Sequence, residues 1–102
     1  MLELRANCEY CDTDLPAAST DACICSYECT FCRRCVDEVL FNVCPNCGGG
    51  FSARPVRPQT AWRERTGLEY APASTRRVHT KYTVEQLAEF TGRIKDIDPE
   101  NR

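Results

Sequence analysis

Nine cysteines carry the chemistry of this sequence, and all of them precede residue 48. Eight of them form four closely spaced pairs, which are Cys8 and Cys11, Cys25 and Cys29, Cys32 and Cys35, and Cys44 and Cys47. Zinc in structural sites takes four thiolate or imidazole ligands in a tetrahedron, and two cysteines separated by two or three residues can bend around one ion. We therefore predict two structural Zn²⁺ ions as the cofactors of this chain.

The spacing alone leaves the pairing of these cysteines open. A sequential scheme joins the first pair with the second and the third with the fourth. An interleaved scheme joins the first pair with the third and the second with the fourth, and both schemes satisfy zinc. Cys23 is left over. We expect a spare cysteine in a loop there, with a swapped ligand or a redox-responsive thiol as alternatives.

No sequence feature indicates catalysis. A catalytic zinc keeps an open position for water, whereas four thiolates close the site. Thiol oxidoreductases have one reactive pair in a βαβ setting, and this chain has four pairs without that pattern. We therefore expect no catalytic residues and no enzymatic activity.

The N-terminal stretch lacks the apolar run of a signal peptide, and no stretch approaches the ~20 apolar residues that span a membrane. We therefore expect a cytoplasmic protein without a membrane partner. Thiols stay reduced in that compartment, so patterned cysteines indicate metal rather than disulfides.

Three regions differ in composition. Residues 1–51 contain all the cysteines. Residues 52–82 are predicted to form an extended basic segment, since Pro55 and Pro58 fix the backbone φ angle and remove amide donors. Residues 83–98 are predicted to form an amphipathic C-terminal helix.

The helix prediction has a start, a face and an end. Thr83 and Gln86 form a capping-box pattern, and Asp98–Pro99 is a typical stop. Apolar residues recur at spacings of three and four, at Val84, Leu87, Phe90, Ile94 and Ile97. We expect this stripe to pack on the zinc domain; the alternatives are a partner-docking helix or a homodimer through it.

The two halves of the chain carry opposite charge. Residues 1–51 contain three Lys or Arg against eight Asp or Glu, and residues 52–102 contain ten against seven. The acidic zinc domain should repel phosphate. The basic residues of 54–81, with Trp62, Tyr70 and Tyr82 interleaved, suggest two alternatives: nucleic-acid binding, or a tail that wraps onto the acidic domain with Trp62 as its apolar anchor.

The order of the cysteines in residues 8–47 resembles the RING family. Phe31 immediately precedes Cys32, and Pro45 follows Cys44. Apolar residues suited to the short central helix follow Cys35, at Val36, Val39 and Leu40. The resemblance implies a small zinc-stabilised α+β fold with an interleaved cross-brace. Site one would then be Cys8, Cys11, Cys32 and Cys35, and site two would be Cys25, Cys29, Cys44 and Cys47.

The RING resemblance also implies a protein partner. RING domains bind partners through a shallow apolar platform, whose positions here are Tyr10, Val39 and Pro45. Ubiquitin ligases of this type commonly have a basic residue just beyond the last cysteine, where this chain has Gly48. We therefore expect a protein–protein interaction module, or adaptor, with a ubiquitin-ligase-like RING as one alternative and nucleic-acid binding through the basic tail as another.

The whole chain is also similar to a bacterial family of short cysteine-rich proteins of unknown function. The residues that carry this similarity are Leu2-Glu3-Leu4-Arg5, Cys29-Thr30-Phe31-Cys32 and Cys44-Pro45-Asn46-Cys47-Gly48-Gly49. This similarity supports zinc binding and implies no activity.

Overall fold

Three short strands form an antiparallel sheet beside the cysteine pairs. The structure is a computed structural model that describes residues 1–102. Strand β1 (Ala22–Ile24) lies between β2 (Thr30–Cys32) and β3 (Ser52–Ala53), which gives the order β2-β1-β3. Together with its helices, this sheet makes the chain a small α+β protein.

Three helices follow the first two strands. Helix α1 (Arg33–Glu38) begins directly after β2, and α2 (Gly67–Tyr70) and α3 (Val84–Ile94) lie in the second half of the chain. A single 3₁₀ turn (Pro99–Asn101) ends the chain. The predicted short helix around Cys35 and the predicted C-terminal helix are therefore confirmed. Strand β3 and helix α2 lie in the segment 52–82, for which the sequence predicted only extended chain.

The core is small and contains many thiols. Phe31 lies at its centre with no exposed surface, and its ring meets that of Phe51 edge-on at 5.5 Å between centroids. Of the 13 buried residues that form the core cluster, seven are cysteines. A thiol buries little apolar area, so hydrophobic burial alone supports this fold weakly, as is usual for small domains stabilised by metal.

Helix α3 begins as predicted and ends earlier than predicted. The Thr83 hydroxyl accepts from the Gln86 amide at 3.1 Å, and the Gln86 side chain accepts from the Thr83 amide at 2.8 Å, so the capping box is confirmed. The helix ends at Ile94, which leaves Ile97 outside it. Leu87 is buried in the core cluster. Val84 is 62% exposed, so the predicted stripe is buried only at its centre.

Gly92 is a site at which we expect a substitution to stabilise the protein. A Cβ built at this position in α3 meets no atom within 4 Å. Gly92→Ala should therefore raise the free energy of unfolding by up to about 1 kcal/mol, because alanine has the higher helix propensity. Urea titration of both proteins measures the difference.

Gly67 is the matched control for that experiment. Its φ angle is +85°, and a Cβ there would lie 3.0 Å from the backbone nitrogen of Ala61. Gly67→Ala should destabilise the protein, since both the left-handed backbone and the close contact disfavour a side chain. An equal effect of the two substitutions would contradict this account of the glycines.

The basic segment wraps onto the acidic half of the chain. Arg77 forms ion pairs with Asp12 and Asp14 at 2.9 and 2.8 Å. The Asn7 side chain and the Val78 backbone exchange two hydrogen bonds, at 2.9 and 3.1 Å. The predicted wrapping is therefore confirmed. The predicted anchor is wrong, because the Trp62 side chain is 79% exposed and polar contacts hold the segment instead.

Arg54 adds three further polar contacts. Its guanidinium donates to the carbonyl oxygens of Arg5, Leu15 and Pro16 at 2.9, 3.1 and 3.1 Å. The residue is 4% exposed. Arg54 thereby fixes the loop that leads from the first cysteine pair to β1.

The three helices are all short, and none has the length and apolar character needed to cross a membrane.

Candidate metal centres

The first group of sulfurs combines the first and third cysteine pairs. The Sγ atoms of its four members all lie within 4.8 Å of one another, and the members are Cys8, Cys11, Cys32 and Cys35. In a tetrahedron with a Zn–S distance of about 2.3 Å, neighbouring sulfurs lie about 3.8 Å apart. The Cys11 and Cys32 sulfurs are separated by 3.8 Å. This group therefore has the donor atoms and the spacing of a closed tetrathiolate site.

A tight turn positions the first pair. The Asp12 amide donates to the Cys8 carbonyl at 2.9 Å, and the Cys8 amide donates to the Thr13 carbonyl at 2.9 Å. Asp12 has a φ angle of +67°, in the left-handed region that asparagine and aspartate tolerate better than most residues. The third pair comes from a different element, since Cys32 ends β2 and Cys35 lies in α1.

The second group combines the second and fourth pairs. The sulfurs of Cys25, Cys44 and Cys47 all lie within 4.8 Å of one another. Cys29 lies at the edge of this group, beyond that distance from at least one of them. Its sulfur nevertheless lies 3.3 Å from the side-chain amide of Asn46, in the turn between Cys44 and Cys47, which keeps Cys29 within reach as a fourth ligand.

Glycine is required in the turn that carries the fourth pair. The Gly48 amide donates to the Cys44 carbonyl at 2.7 Å, and the Cys44 amide donates to the Gly49 carbonyl at 2.8 Å. Gly48 has a φ angle of +80°, which other residues adopt at a cost. The Gly49 amide also points at the Cys47 sulfur, 3.4 Å away.

The hairpin of β1 and β2 separates the two groups. Cys25 and Cys29 flank its turn, where the Cys25 amide donates to the Cys29 carbonyl at 3.2 Å. Cys32 lies at the open end of the hairpin, opposite Ala22. At about 3.3 Å per residue, β2 places Cys29 and Cys32 about 10 Å apart. The chain therefore passes from one group to the other, and both groups draw on the cysteines that an interleaved scheme joins.

The thiols within each group differ in pKa. Hydrogen bonds from Cys29 and Cys44 lower the pKa of Cys25 to about 3. The pKa of Cys44 is raised, because the neighbouring Cys25 and Cys29 sulfurs stabilise its protonated form. In the first group, burial raises the pKa of both Cys8 and Cys35. Several thiolates close together repel one another, and a divalent cation would remove that penalty by replacing the shared protons.

Amide groups around the sulfurs fit metal-bound thiolates. The Tyr27 amide lies 3.3 Å from the Cys25 sulfur, and the Asn46 side-chain amide lies 3.3 Å from the Cys29 sulfur. Such donors stabilise negative charge on sulfur and orient it toward an ion. The residues present therefore fit Zn²⁺, which would supply a structural cross-link rather than a reactive centre.

Glu9 supports the first group and was missed by the sequence analysis. It lies between the first two cysteines and is only 2% exposed. Its carboxylate accepts from the Thr30 amide at 2.6 Å and from the Arg5 guanidinium at 2.8 Å. Burial raises its pKa, against the lowering effect of these two donors. Only its position between Cys8 and Cys11 could have indicated this role from the sequence, because its partner Thr30 in β2 is 21 residues away.

Cys23 belongs to neither group. The sequence analysis expected Cys23 in a loop, but it lies in β1, opposite Phe31. It is 1% exposed. Burial raises the pKa of its thiol. Cys23 is therefore a spare cysteine in the core.

The three residues of the expected partner platform are differently exposed. Tyr10 and Val39 are half-buried and pack against the core cluster. Pro45 is buried and lines a groove of about 390 Å³ together with Leu87 and Phe90 of α3. The C-terminal helix thus covers part of the surface that the sequence analysis assigned to a partner.

Comparison with known proteins identifies the family. A family model described as "Protein of unknown function (DUF1272)" matches residues 1–57, which include both cysteine groups. The chain belongs to this family. It is also 54% identical over 78 residues to an uncharacterized protein of Rhizobium meliloti (strain 1021), across 76% of this chain and 86% of that protein. The expected membership in a bacterial family of unknown function is therefore confirmed.

No solved structure matches the chain. The DUF1272 match ends at residue 57, so α2, α3 and the Trp62 loop lie beyond it. The sulfur groups lie within the part of the chain that the family shares, and their geometry is the basis for a function.

Proposed function

We propose that the two sulfur groups are structural zinc sites of a RING-like cross-brace, and that the domain is an adaptor for protein partners rather than an enzyme. The observation that carries the proposal is the grouping of the sulfurs, in which the first pair meets the third and Cys25 of the second pair meets the fourth. Four thiolates around each ion leave no position for a substrate. The zinc ions would therefore hold a binding surface in shape.

The groove between α3 and the last cysteine turn supports an interaction role. Its apolar wall comes from Pro45, Tyr82, Leu87 and Phe90, and the exposed carboxylates of Glu85 and Glu89 lie on its rim. A protein segment with an apolar side chain beside a basic residue fits this combination of apolar wall and acidic rim. We propose such a segment as the partner.

The position after the last cysteine favours an adaptor over a ubiquitin ligase. Gly48 stands where active ligases of the RING family commonly have a basic residue. A Cβ on Gly48 would lie 3.6 Å from Ile94 Cδ1 and 3.8 Å from Phe90 Cζ, so α3 covers this position. The surface that would contact a conjugated ubiquitin is thus partly taken by the chain itself.

The basic segment supports nucleic-acid binding poorly. Three of its seven cationic side chains are committed within the chain, Arg54 and Arg57 to backbone carbonyls and Arg77 to two aspartates. Phosphate binding requires cationic side chains that are free to replace counterions. The arrangement therefore favours the adaptor proposal.

Site-specific photo-crosslinking tests the adaptor proposal. A photo-crosslinking amino acid in place of Gln86, which is exposed in the groove, should give one dominant protein adduct in the host cell. The double variant Glu85→Lys and Glu89→Lys should reduce this adduct at least about tenfold, since reversing rim charge disfavours a basic partner. Mass spectrometry of the adduct identifies the partner.

The exposed Thr75, which lies outside the groove, is the matched control position. Adducts of equal pattern from positions 75 and 86, or adducts unchanged by the double variant, would contradict binding in the groove.

A further inference from the structure

The second sulfur group is open to solvent at one corner. Cys25 and Cys44 are buried, whereas Cys47 is exposed. Cys47 also lines an open surface groove of about 440 Å³ with Tyr27 and Asn46. In the first group, three sulfur-bearing residues are buried and Cys11 is half-buried. A small solute therefore reaches Cys47 before the other cysteines of either group.

Cys47 has a partner with which it can form a disulfide. Cys44 is three residues away, and the two sulfurs lie within 4.8 Å of each other. Only Pro45 and Asn46 separate them, and the Gly48 amide closes the turn on the Cys44 carbonyl at 2.7 Å, so a small side-chain adjustment brings the sulfurs to bonding distance. The exposed thiolate and the buried one thus form an attacking and resolving pair.

The C-terminal segment, defined here as residues 83–102, packs against the turn that carries this pair. Phe90 and Ile94 of α3 pack over Gly48, and Pro99 lies 3.3 Å from a Cβ built on Gly50. The Arg102 guanidinium donates to the carbonyl oxygens of Gly48 and Asn42 at 3.1 and 2.7 Å.

Little else holds the C-terminal segment in place. Leu87 is the one apolar side chain of α3 that is fully buried, and Val84 and Ile97 are 62% and 42% exposed. An isolated helix of 11 residues is marginal in water and depends on packing for its order. The docking of the segment therefore depends on the shape of the turn from Cys44 to Gly50.

We propose that Cys47 and Cys44 are an oxidation site for hydroperoxides, and that their oxidation releases the C-terminal segment from the zinc domain. The inference rests on the proposed function in that it takes the second group to hold Zn²⁺. Because α3 forms one wall of the partner groove, release of the segment also dismantles that groove. The exposed corner then acts as a redox control of partner binding.

The oxidation balances with hydrogen peroxide as the oxidant. The Cys47 thiolate attacks one peroxide oxygen, the O–O bond breaks, and a sulfenic acid and a hydroxide ion form. The Cys44 thiolate then attacks the Cys47 sulfur and expels a second hydroxide as the S–S bond forms. The two sulfurs lose two electrons, the two peroxide oxygens gain them, and each hydroxide takes a proton from the buffer to become water. A Zn²⁺ ion held by the second group would then lack two of its four thiolate ligands and would no longer be held tightly.

The test uses the full-length zinc-loaded protein and hydrogen peroxide. A chromophoric chelator follows zinc release, mass spectrometry maps disulfides, and hydrogen exchange follows the amides of α3. We expect one equivalent of zinc to be released first, together with a Cys44–Cys47 disulfide. Exchange of the α3 amides should then rise at least about tenfold, while the amides of β1 and β2 stay protected. A thiol reductant with added Zn²⁺ should reverse all three changes.

Cys23→Ala is the matched variant, since Cys23 belongs to neither group, and it should respond to peroxide as the unmodified protein does. Release of zinc from the first group first, a disulfide elsewhere, or α3 amides that stay protected after the disulfide forms would each overturn the inference. Zinc content measured before peroxide separates the two proposals: a folded protein that binds no zinc overturns the proposed function as well, whereas two bound ions with any of those outcomes overturn this inference alone.

Discussion

Removal of zinc should unfold the protein. Binding of a structural zinc contributes roughly 10–16 kcal/mol at neutral pH in small zinc domains, whereas the whole stability of a small domain is about 5–15 kcal/mol. Here seven of the 13 core residues are cysteines, so the apolar core is too small to replace that contribution. A strong chelator at neutral pH, in reducing buffer, should abolish the near-ultraviolet circular dichroism of the aromatic core and the dispersion of amide NMR signals.

A single ligand substitution in the first group should have nearly the same effect. Cys35 is 1% exposed and lies in the first group, so Cys35→Ala should prevent closure of that site and leave the chain largely unfolded. Cys23→Ala is the control, because Cys23 is equally buried and lies outside both groups. Zinc stoichiometry and circular dichroism compare the two variants. Equal stability of the two, or a chelated protein that stays folded, would contradict a structural role for the metal.

Arg54→Met should destabilise the zinc-loaded protein by about 3 kcal/mol or more. The guanidinium donates to three carbonyl oxygens in a nearly inaccessible position, and each hydrogen bond from a charged donor is worth about 1.5–3 kcal/mol. Methionine fills similar volume but leaves the acceptors without a partner. Urea unfolding in the presence of zinc measures the loss.

Arg63→Met is the matched control for Arg54→Met. Arg63 lies exposed in the loop near Trp62, so its replacement should change the free energy of unfolding by less than about 0.5 kcal/mol. If the two substitutions lower the free energy of unfolding equally, Arg54 does not fix the loop between the first cysteine pair and β1.

Features determined by neighbouring residues could be predicted from the sequence. The cysteine pairs are local, and so is the capping box of Thr83 and Gln86, which the structure contains. The end of α3 was predicted less well. Asp98–Pro99 marks a stop, but the helix already ends at Ile94, and the residues that follow it turn toward the Gly50 backbone.

Features determined by contacts across the chain could not be predicted in the same way. Arg54 and Glu9 look like ordinary surface charges in the sequence, yet each is buried by partners 20 to 50 residues away. Trp62 looks like an apolar anchor, yet it lies exposed because ion pairs and backbone hydrogen bonds hold the segment. Spacing also left the grouping of the cysteines open, and only the position of the β1–β2 hairpin between the groups separates the alternatives.

The limits of the three predicted regions, residues 1–51, 52–82 and 83–98, remain predictions. The first and second regions are joined by β3, which pairs with β1, and by Arg54. A segment that wraps in this way stabilises the zinc domain through contacts that could not be predicted from its sequence.

The most direct test of the cross-brace is the identity of the ligands of each ion. The protein is loaded with ¹¹³Cd²⁺, which takes the tetrahedral thiolate sites of zinc, and proton–cadmium correlation spectra connect each ion to the Cβ protons of its cysteines. We predict two cadmium signals, one correlated with Cys8, Cys11, Cys32 and Cys35 and the other with Cys25, Cys29, Cys44 and Cys47. One signal shared by Cys8, Cys11, Cys25 and Cys29, or a folded chain that binds no cadmium, would contradict the account.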